Sequence, residues 1–270
     1  MSSRTFMKII GRLMIALSVI ALLFCGGYLA KCYLDYNRSI GPMTEMKSKY
    51  VTESDAELSE SGSNEELQTE EKNDSKKKKI LKVDWKSIRK ENTNIIAWID
   101  IPNMAISYPV VQGEDNSYYL SHTVEGKESL YGAIFLNCEN SRTFSDSHNI
   151  IYGHNMKDGS MFHNLNKYGD RETFLLAPDI YINSLTGKTY RYRIFSVYQT
   201  TADGTAYRFG NALKSKEYKK QVETIKDLSE YDTGTEISDD RPFITLITCN
   251  GLLSESERTS VHAILEDVDD

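Results

Sequence analysis

Residues 13–30, LMIALSVIALLFCGGYLA, contain no charged side chain, and extending the run through residue 34 adds one, Lys31. About 20 apolar residues in a row are the length of a bilayer crossing, because ~30 Å of hydrocarbon leaves backbone N–H and C=O groups only each other to bond, and one segment satisfies them as a helix. Lys31 lies near the end of the run, where its aliphatic stem can carry the ammonium to the interface. Arg4, Lys8 and Arg12 precede the run and no acid does. The excess of cations holds that end in the cytoplasm and places the residues beyond the run outside. Two rival readings fit less well. A cleaved signal peptide needs a shorter apolar region and a small-x-small site, whereas Cys25-Gly26-Gly27 is followed by the apolar Tyr28-Leu29-Ala30. A lipoprotein signal would modify Cys25, but Phe24 stands where a small residue belongs. The expectation is therefore a cytoplasmic N-terminus over 1–12 and a single transmembrane signal-anchor over 13–34, with Cys25 and Cys32 as packing residues.

Residues 35–79 are rich in Glu, Ser and Lys, acidic over 65–71 and basic over 76–79. A stretch with so few large apolar residues cannot bury enough surface to offset its chain entropy, and it reads as a disordered charged linker. The folded domain then occupies 80–270. The net charge of −7 excludes a general nucleic-acid binder, which needs a basic face for phosphates. Cys138 and Cys249 are too sparse for a disulfide framework, although the count leaves a single bridge open in an exported domain.

The domain reads as mostly β. Short runs rich in β-branched and aromatic residues occur at 95–101, 106–111, 133–136, 149–152, 180–182, 189–200, 243–248 and 261–265, with turn residues between nearly all of them. That pattern predicts an antiparallel barrel or sandwich. Helices are expected at 82–90, at 161–165 and at 213–228, where Tyr218, Val222, Ile225 and Leu228 recur at helical spacing.

Two strand ends carry reactive side chains. In Phe243-Ile244-Thr245-Leu246-Ile247-Thr248-Cys249 a β-rich run leads directly into a cysteine, and Arg258 follows a polar loop. Two readings of Cys249 stay open on this segment: a buried packing thiol, or a nucleophile whose thiolate and oxyanion a nearby guanidinium favours. In Asn149-Ile150-Ile151-Tyr152-Gly153-His154 an apolar run ends in Gly-His. An imidazole there suits a thiol, since it titrates near neutrality. His122, His148, His163 and His262 read as surface or packing residues, and their spacing with the cysteines matches no usual zinc pattern.

Taken together, Thr245-Leu246-Ile247-Thr248-Cys249, the earlier Tyr152-Gly153-His154 and the following Arg258 resemble the sortases. Trp98-Ile99-Asp100-Ile101-Pro102, Tyr108-Pro109-Val110-Val111-Gln112-Gly113 and Asp115-Asn116-Ser117-Tyr118-Tyr119-Leu120 resemble class B of that family. The resemblance implies an eight-stranded β-barrel with an N-terminal helix and a long helix inserted before the cysteine strand. It also implies a membrane-anchored cysteine transpeptidase with its catalytic domain outside the cell. Such an enzyme cleaves a C-terminal sorting signal of a secreted protein, NPxT-like in class B, after Thr. It holds the acyl group as a thioester and transfers it to an amine of peptidoglycan precursor or of a pilin. Carried over by position, Cys249 is the nucleophile, His154 the acid/base and Arg258 the oxyanion or substrate ligand, with Asn116, Leu120, Tyr152 and Ile247 lining the substrate groove. No metal or organic cofactor is implied, and a free catalytic thiol argues against a Cys138–Cys249 disulfide. Two positions depart from the pattern: Ile247, where a small polar residue is common, and Ser260, where an apolar one is.

Other classes fit less of the sequence. An L,D-transpeptidase would have a small residue and Gly before its cysteine, and a papain-like peptidase would place cysteine before histidine. A non-enzymatic, membrane-tethered surface β domain would carry a sorting signal of its own, whereas residues 266–270 have no apolar tail.

Overall fold

The computed structural model describes residues 3–56, 78–201, 204, 211–249 and 258–269. A long helix, α1 (Ser3–Tyr50), is followed by strands β1 (Val51–Ala56) and β2 (Lys78–Val83) and helix α2 (Trp85–Glu91). Strands β3 (Ile95–Ile101), β4 (Ile106–Val111), β5 (Ile134–Leu136) and β6 (His148–His154) come next. Helix α3 (Arg171–Leu176) then leads to β7 (Asp179–Ser184) and β8 (Thr189–Thr200), and α4 (Lys216–Asp227) precedes β9 (Phe243–Cys249) and β10 (Arg258–Asp269). Single 3-10 turns at Tyr118–Leu120 and His163–Gly169 fill two of the connections.

Eight of these strands close into a barrel in the order β10-β8-β7-β3-β4-β5-β6-β9, with β9 returning to β10. The expected antiparallel arrangement is corrected at two seams: β4 pairs with β5, and β6 with β9, in parallel. Parallel neighbours need long crossovers, and the connections from β6 to β9 and from β4 to β5 carry α3, α4 and the two 3-10 turns. The core is packed with large side chains, among them Trp98, Phe135, Phe162 and Tyr192, each at most 1% exposed. Trp98 is accommodated there because its indole N–H donates to Ser107 Oγ at 3.0 Å on the adjacent strand.

The inserted helix is shorter than its apolar pattern. Ser215 caps α4, its hydroxyl accepting from the Tyr218 N–H at 3.1 Å. Tyr218, Val222 and Ile225 face inward onto Phe195, Tyr198, Phe243 and Ile264, a second small core outside the barrel wall. The helix expected at 82–90 begins only at Trp85, because Asp84 caps it and Lys82 and Val83 belong to β2. The one expected at 161–165 is a 3-10 turn over His163–Gly169.

The linker expected over 35–79 is corrected at both ends. Helix α1 continues without interruption to Tyr50, and its last turns lie on the barrel with Ser39, Ile40, Met43, Met46 and Tyr50 buried. The Tyr50 hydroxyl donates to the Glu91 carboxylate, which Lys49 also approaches at 3.5 Å. Strand β1 pairs antiparallel with β2 over its full length. A few apolar residues suffice there because they fall on one helix face and the barrel supplies their partner. Residues 57–77 lie outside those described. The apolar window of α1, by contrast, has a mean hydropathy of 2.3 and none of it is buried, with Phe24 77% exposed. The helix is long and apolar enough to cross a bilayer.

Candidate active site

The parallel seam between β6 and β9 brings the two reactive strand ends together. Its register pairs Tyr152 with Ile247, Gly153 with Thr248 and His154 with Cys249. Laterally paired residues project to the same face of a sheet, and adjacent strands lie about 4.8 Å apart, so positions 154 and 249 are immediate neighbours. The side chain of Cys249 lies outside the described residues. On the other side of β9, β10 is antiparallel with Ser260 opposite Ile247, and the Thr259 N–H donates to Thr248 Oγ1 at 2.9 Å. Continued by two residues, that register sets Arg258 opposite Cys249. Arg258 is half-buried and pairs with Thr200 of β8 on its far side. Three strand ends therefore carry histidine, cysteine and arginine in one row.

His154 is fixed by its surroundings. Its Nε2 lies 2.7 Å from the Leu120 carbonyl. A carbonyl only accepts, so Nε2 carries the proton and Nδ1 is the nitrogen left for proton exchange. Burial pushes the imidazole below its ordinary 6.5, opposed by that hydrogen bond. Gly132 allows the loop to lie on the ring: it has φ +55, and a Cβ there would collide with the Tyr119 carbonyl and sit 3.0 Å from His154 Cδ2. Gly153, the residue before the histidine, lets Ile134 and Phe162 pack beneath it, since a Cβ would collide with the first and fall 2.7 Å from the second.

The remaining sequence-derived site residues divide. Leu120 touches the centre through its carbonyl. Tyr152 is buried beside Phe135 at 5.1 Å between ring centres, and its hydroxyl accepts from Asn137 Nδ2 at 2.9 Å. Ile247 has no exposed surface and belongs to the core. Asn116 is occupied in holding the Cys138 loop, its Oδ1 accepting the Cys138 N–H at 2.8 Å. Cys138 is a free, half-buried thiol.

Two polar groups went unnoticed in the sequence. Asn155, directly after His154, accepts at Oδ1 from Asn166 Nδ2 at 2.9 Å and lies 2.8 Å from His163 Nδ1, while the Thr259 hydroxyl reaches Asn166 Oδ1 at 2.5 Å. This chain ties the end of β6 to the start of β10. The second is a fully buried row across β6, β9 and β10. His148 Nε2 meets Thr245 Oγ1 at 2.7 Å, Thr245 Oγ1 meets His262 Nδ1 at 2.8 Å, and His262 Nε2 meets Ser260 Oγ at 2.6 Å. Ser260, the departure noted in the sequence, is the polar partner that His262 requires.

Burial, and secondarily the neighbouring His148, hold His262 well below 6.5. A histidine kept neutral in the fold but free to protonate when unfolded gives its full stability above about pH 6.5 and loses it as pH falls below that value. The melting temperature should be level above neutrality and then fall, as the unfolding free energy declines by up to about 1.4 kcal/mol per pH unit for each such histidine. Thermal unfolding followed from pH 8 to pH 5 measures this, and an unchanged melting temperature would contradict it.

A Sortase domain family model matches residues 99–266, which contain all three strand ends. The chain belongs to the sortase family. It is 36% identical over 166 residues to Sortase B of Listeria monocytogenes, across 61% of this chain and 66% of that one. With Sortase B of Staphylococcus aureus it shares 28% over 189 residues, 69% of this chain and 76% of that one. Among solved structures, sortase B from B. anthracis in complex with AAEK1 superposes with a TM-score of 0.68 at 31% identity, covering 86% of this chain and 98% of that one. A Staphylococcus aureus sortase B-substrate complex gives 0.63 at 27%, covering 67% and 84%. Sortases are cysteine transpeptidases acting on proteins that carry sorting signals, and the eight-stranded barrel here is theirs.

Proposed function

We propose that the chain is a membrane-anchored sortase of class B type in which Cys249, His154 and Arg258 carry the reaction. The pairing of His154 with Cys249 across the parallel seam is the observation that supports it most. Cys249 Sγ attacks the carbonyl carbon of the substrate threonine, giving up its proton to Nδ1 of the neutral His154. Arg258 donates hydrogen bonds to the oxyanion. The C–N bond breaks, His154 returns the proton to the leaving amine, and the acyl group remains as a thioester. An incoming amine then attacks the thioester, losing a proton to His154 and releasing the thiolate, which takes that proton back from His154. Leu120 orients the imidazole throughout, and Tyr152 and Ile247 shape the wall of the groove from within the core. Asn116 acts on the groove through the Cys138 loop.

In this reading residues 1–12 are cytoplasmic, 13–34 span the membrane and the barrel within 80–270 lies outside. The substrate is a secreted protein with an NPxT-like C-terminal signal, and the acceptor is an amine of peptidoglycan precursor or a pilin. Incubating the protein with sorting-signal peptides and candidate amines, read by mass spectrometry, should give cleavage after Thr, an acyl adduct on Cys249 and an amide product. Absence of cleavage across NPxT-like peptides would refute the substrate class. Arg258→Lys should lower kcat by about 10²-fold, since the planar donor fork is lost while the charge is kept. Near-normal rates in that variant would remove Arg258 from the mechanism.

A further inference from the structure

The membrane-facing helix and the candidate site meet at one loop. Along α1, Cys32, Asp35, Ser39, Ile40 and Met43 are covered by the barrel to varying degrees. Ser39 Oγ is hydrogen-bonded to Ser129 Oγ, and the Tyr36 ring meets that of Tyr131 edge-on at 6.0 Å. From residue 129 to residue 131 the loop therefore runs down α1, from the level of Ser39 to that of Tyr36, toward the apolar segment. Leu130, between these two anchors, is 66% exposed. Gly132, two residues further on, lies against His154.

Distance decides what Leu130 faces. With an apolar segment ending at residue 34 and a helical rise of 1.5 Å per residue, Tyr36 stands about 3 Å and Ser39 about 8 Å beyond the hydrocarbon. The headgroup layer on each side of a bilayer is itself roughly 5–8 Å deep. The loop thus occupies that layer. Tyr33 and Tyr36, 67% and 39% exposed, lie one helical turn apart where the apolar run ends, and Tyr131 stands beside Tyr36. Tyrosines clustered where a spanning segment ends are what an interfacial belt consists of.

We infer that the 129–131 loop is a membrane-contact foot, with Leu130 entering the headgroup region of the bilayer that α1 crosses, so that the His154 side of the barrel rests on the lipid surface. The inference rests on the anchor proposed above and goes beyond it: an anchor alone leaves the barrel free to face any direction. Rigid docking of α1 on the barrel, continued into an exposed leucine at the bilayer's depth, fixes which side faces down.

The test uses the full chain in phosphatidylcholine vesicles, with Leu130→Trp compared with Leu228→Trp. Leu228, 45% exposed, ends α4 near β8, four strands away from β5 in either direction around the barrel. Flotation with the vesicles is scored first, and the added emission is then measured with lipids brominated near the carbonyl end of the acyl chains. Flotation with quenching of at least about twofold at position 130 and none at position 228 is the expected result, matching an aromatic ring at headgroup depth. Flotation without quenching at position 130, or with equal quenching at both positions, overturns the foot and leaves the anchor standing. A chain that fails to float overturns the anchor and the foot together.

Discussion

Cys249→Ala is expected to abolish transpeptidation, lowering kcat by on the order of 10⁴-fold or more, while the fold survives. The reaction passes through a covalent acyl-enzyme, and the neighbouring positions of β9 and β10, Thr248 and Thr259, are hydrogen-bonded to one another and not poised as nucleophiles. Losing one sulfur at a strand end leaves the backbone pairing with β6 in place. The melting temperature should therefore move little, and no thioester adduct should form with a sorting-signal peptide. His154→Ala in the same background should cost nothing further, since groups that act as a unit do not contribute additively. Substantial turnover by the alanine variant would end the proposed mechanism, and a further loss in the double variant would give His154 a role independent of the thiol.

Removing residues 1–79 should destabilise the barrel by roughly 2–5 kcal/mol relative to a chain that begins at residue 36. Ile40, Met43, Met46 and Tyr50 are each less than one-tenth exposed against it. Burying such a side chain contributes about 1.5–3 kcal/mol, from which the cost of ordering the helix must be subtracted. The loss is also local: Ser129 is deprived of Ser39 and Tyr131 of Tyr36 beside the loop that covers His154. The shorter chain should accordingly melt earlier and show faster amide exchange over residues 129–132. Equal melting temperatures for the two chains would mean that the docked helix contributes nothing.

Much of the site was legible because each reactive residue ends a β-rich run: Gly153-His154 closes one strand, Thr248-Cys249 another, and Arg258 opens a third. The strands themselves were visible for the same reason, with 95–101 and 106–111 coinciding with β3 and β4. Parallel pairing was not legible, since a buried strand has the same apolar pattern whichever way its neighbour runs. Nor was the docking face of α1. Cys32, Tyr36, Ser39, Met43, Met46 and Tyr50 do recur at alternating spacings of four and three, but two members are polar or small and charged residues lie between them. Ser260 was visible as an exception, yet its purpose depended on His262 being buried two residues away, which only the register of β8, β9 and β10 establishes.

The parallel seam has a consequence for when the chain becomes reactive. His154 and Cys249 are brought together only when β9 inserts between β6 and β10, after two intervening strands and α4 have been traversed. Contacts so distant in sequence carry the largest loop-closure cost and form late in folding. A chain whose barrel is still open thus carries a thiol at position 249 with no imidazole beside it. In the proposed mechanism the thiol and its proton partner are therefore complete only once the barrel has closed, and half-folded protein does not take up an acyl group through them.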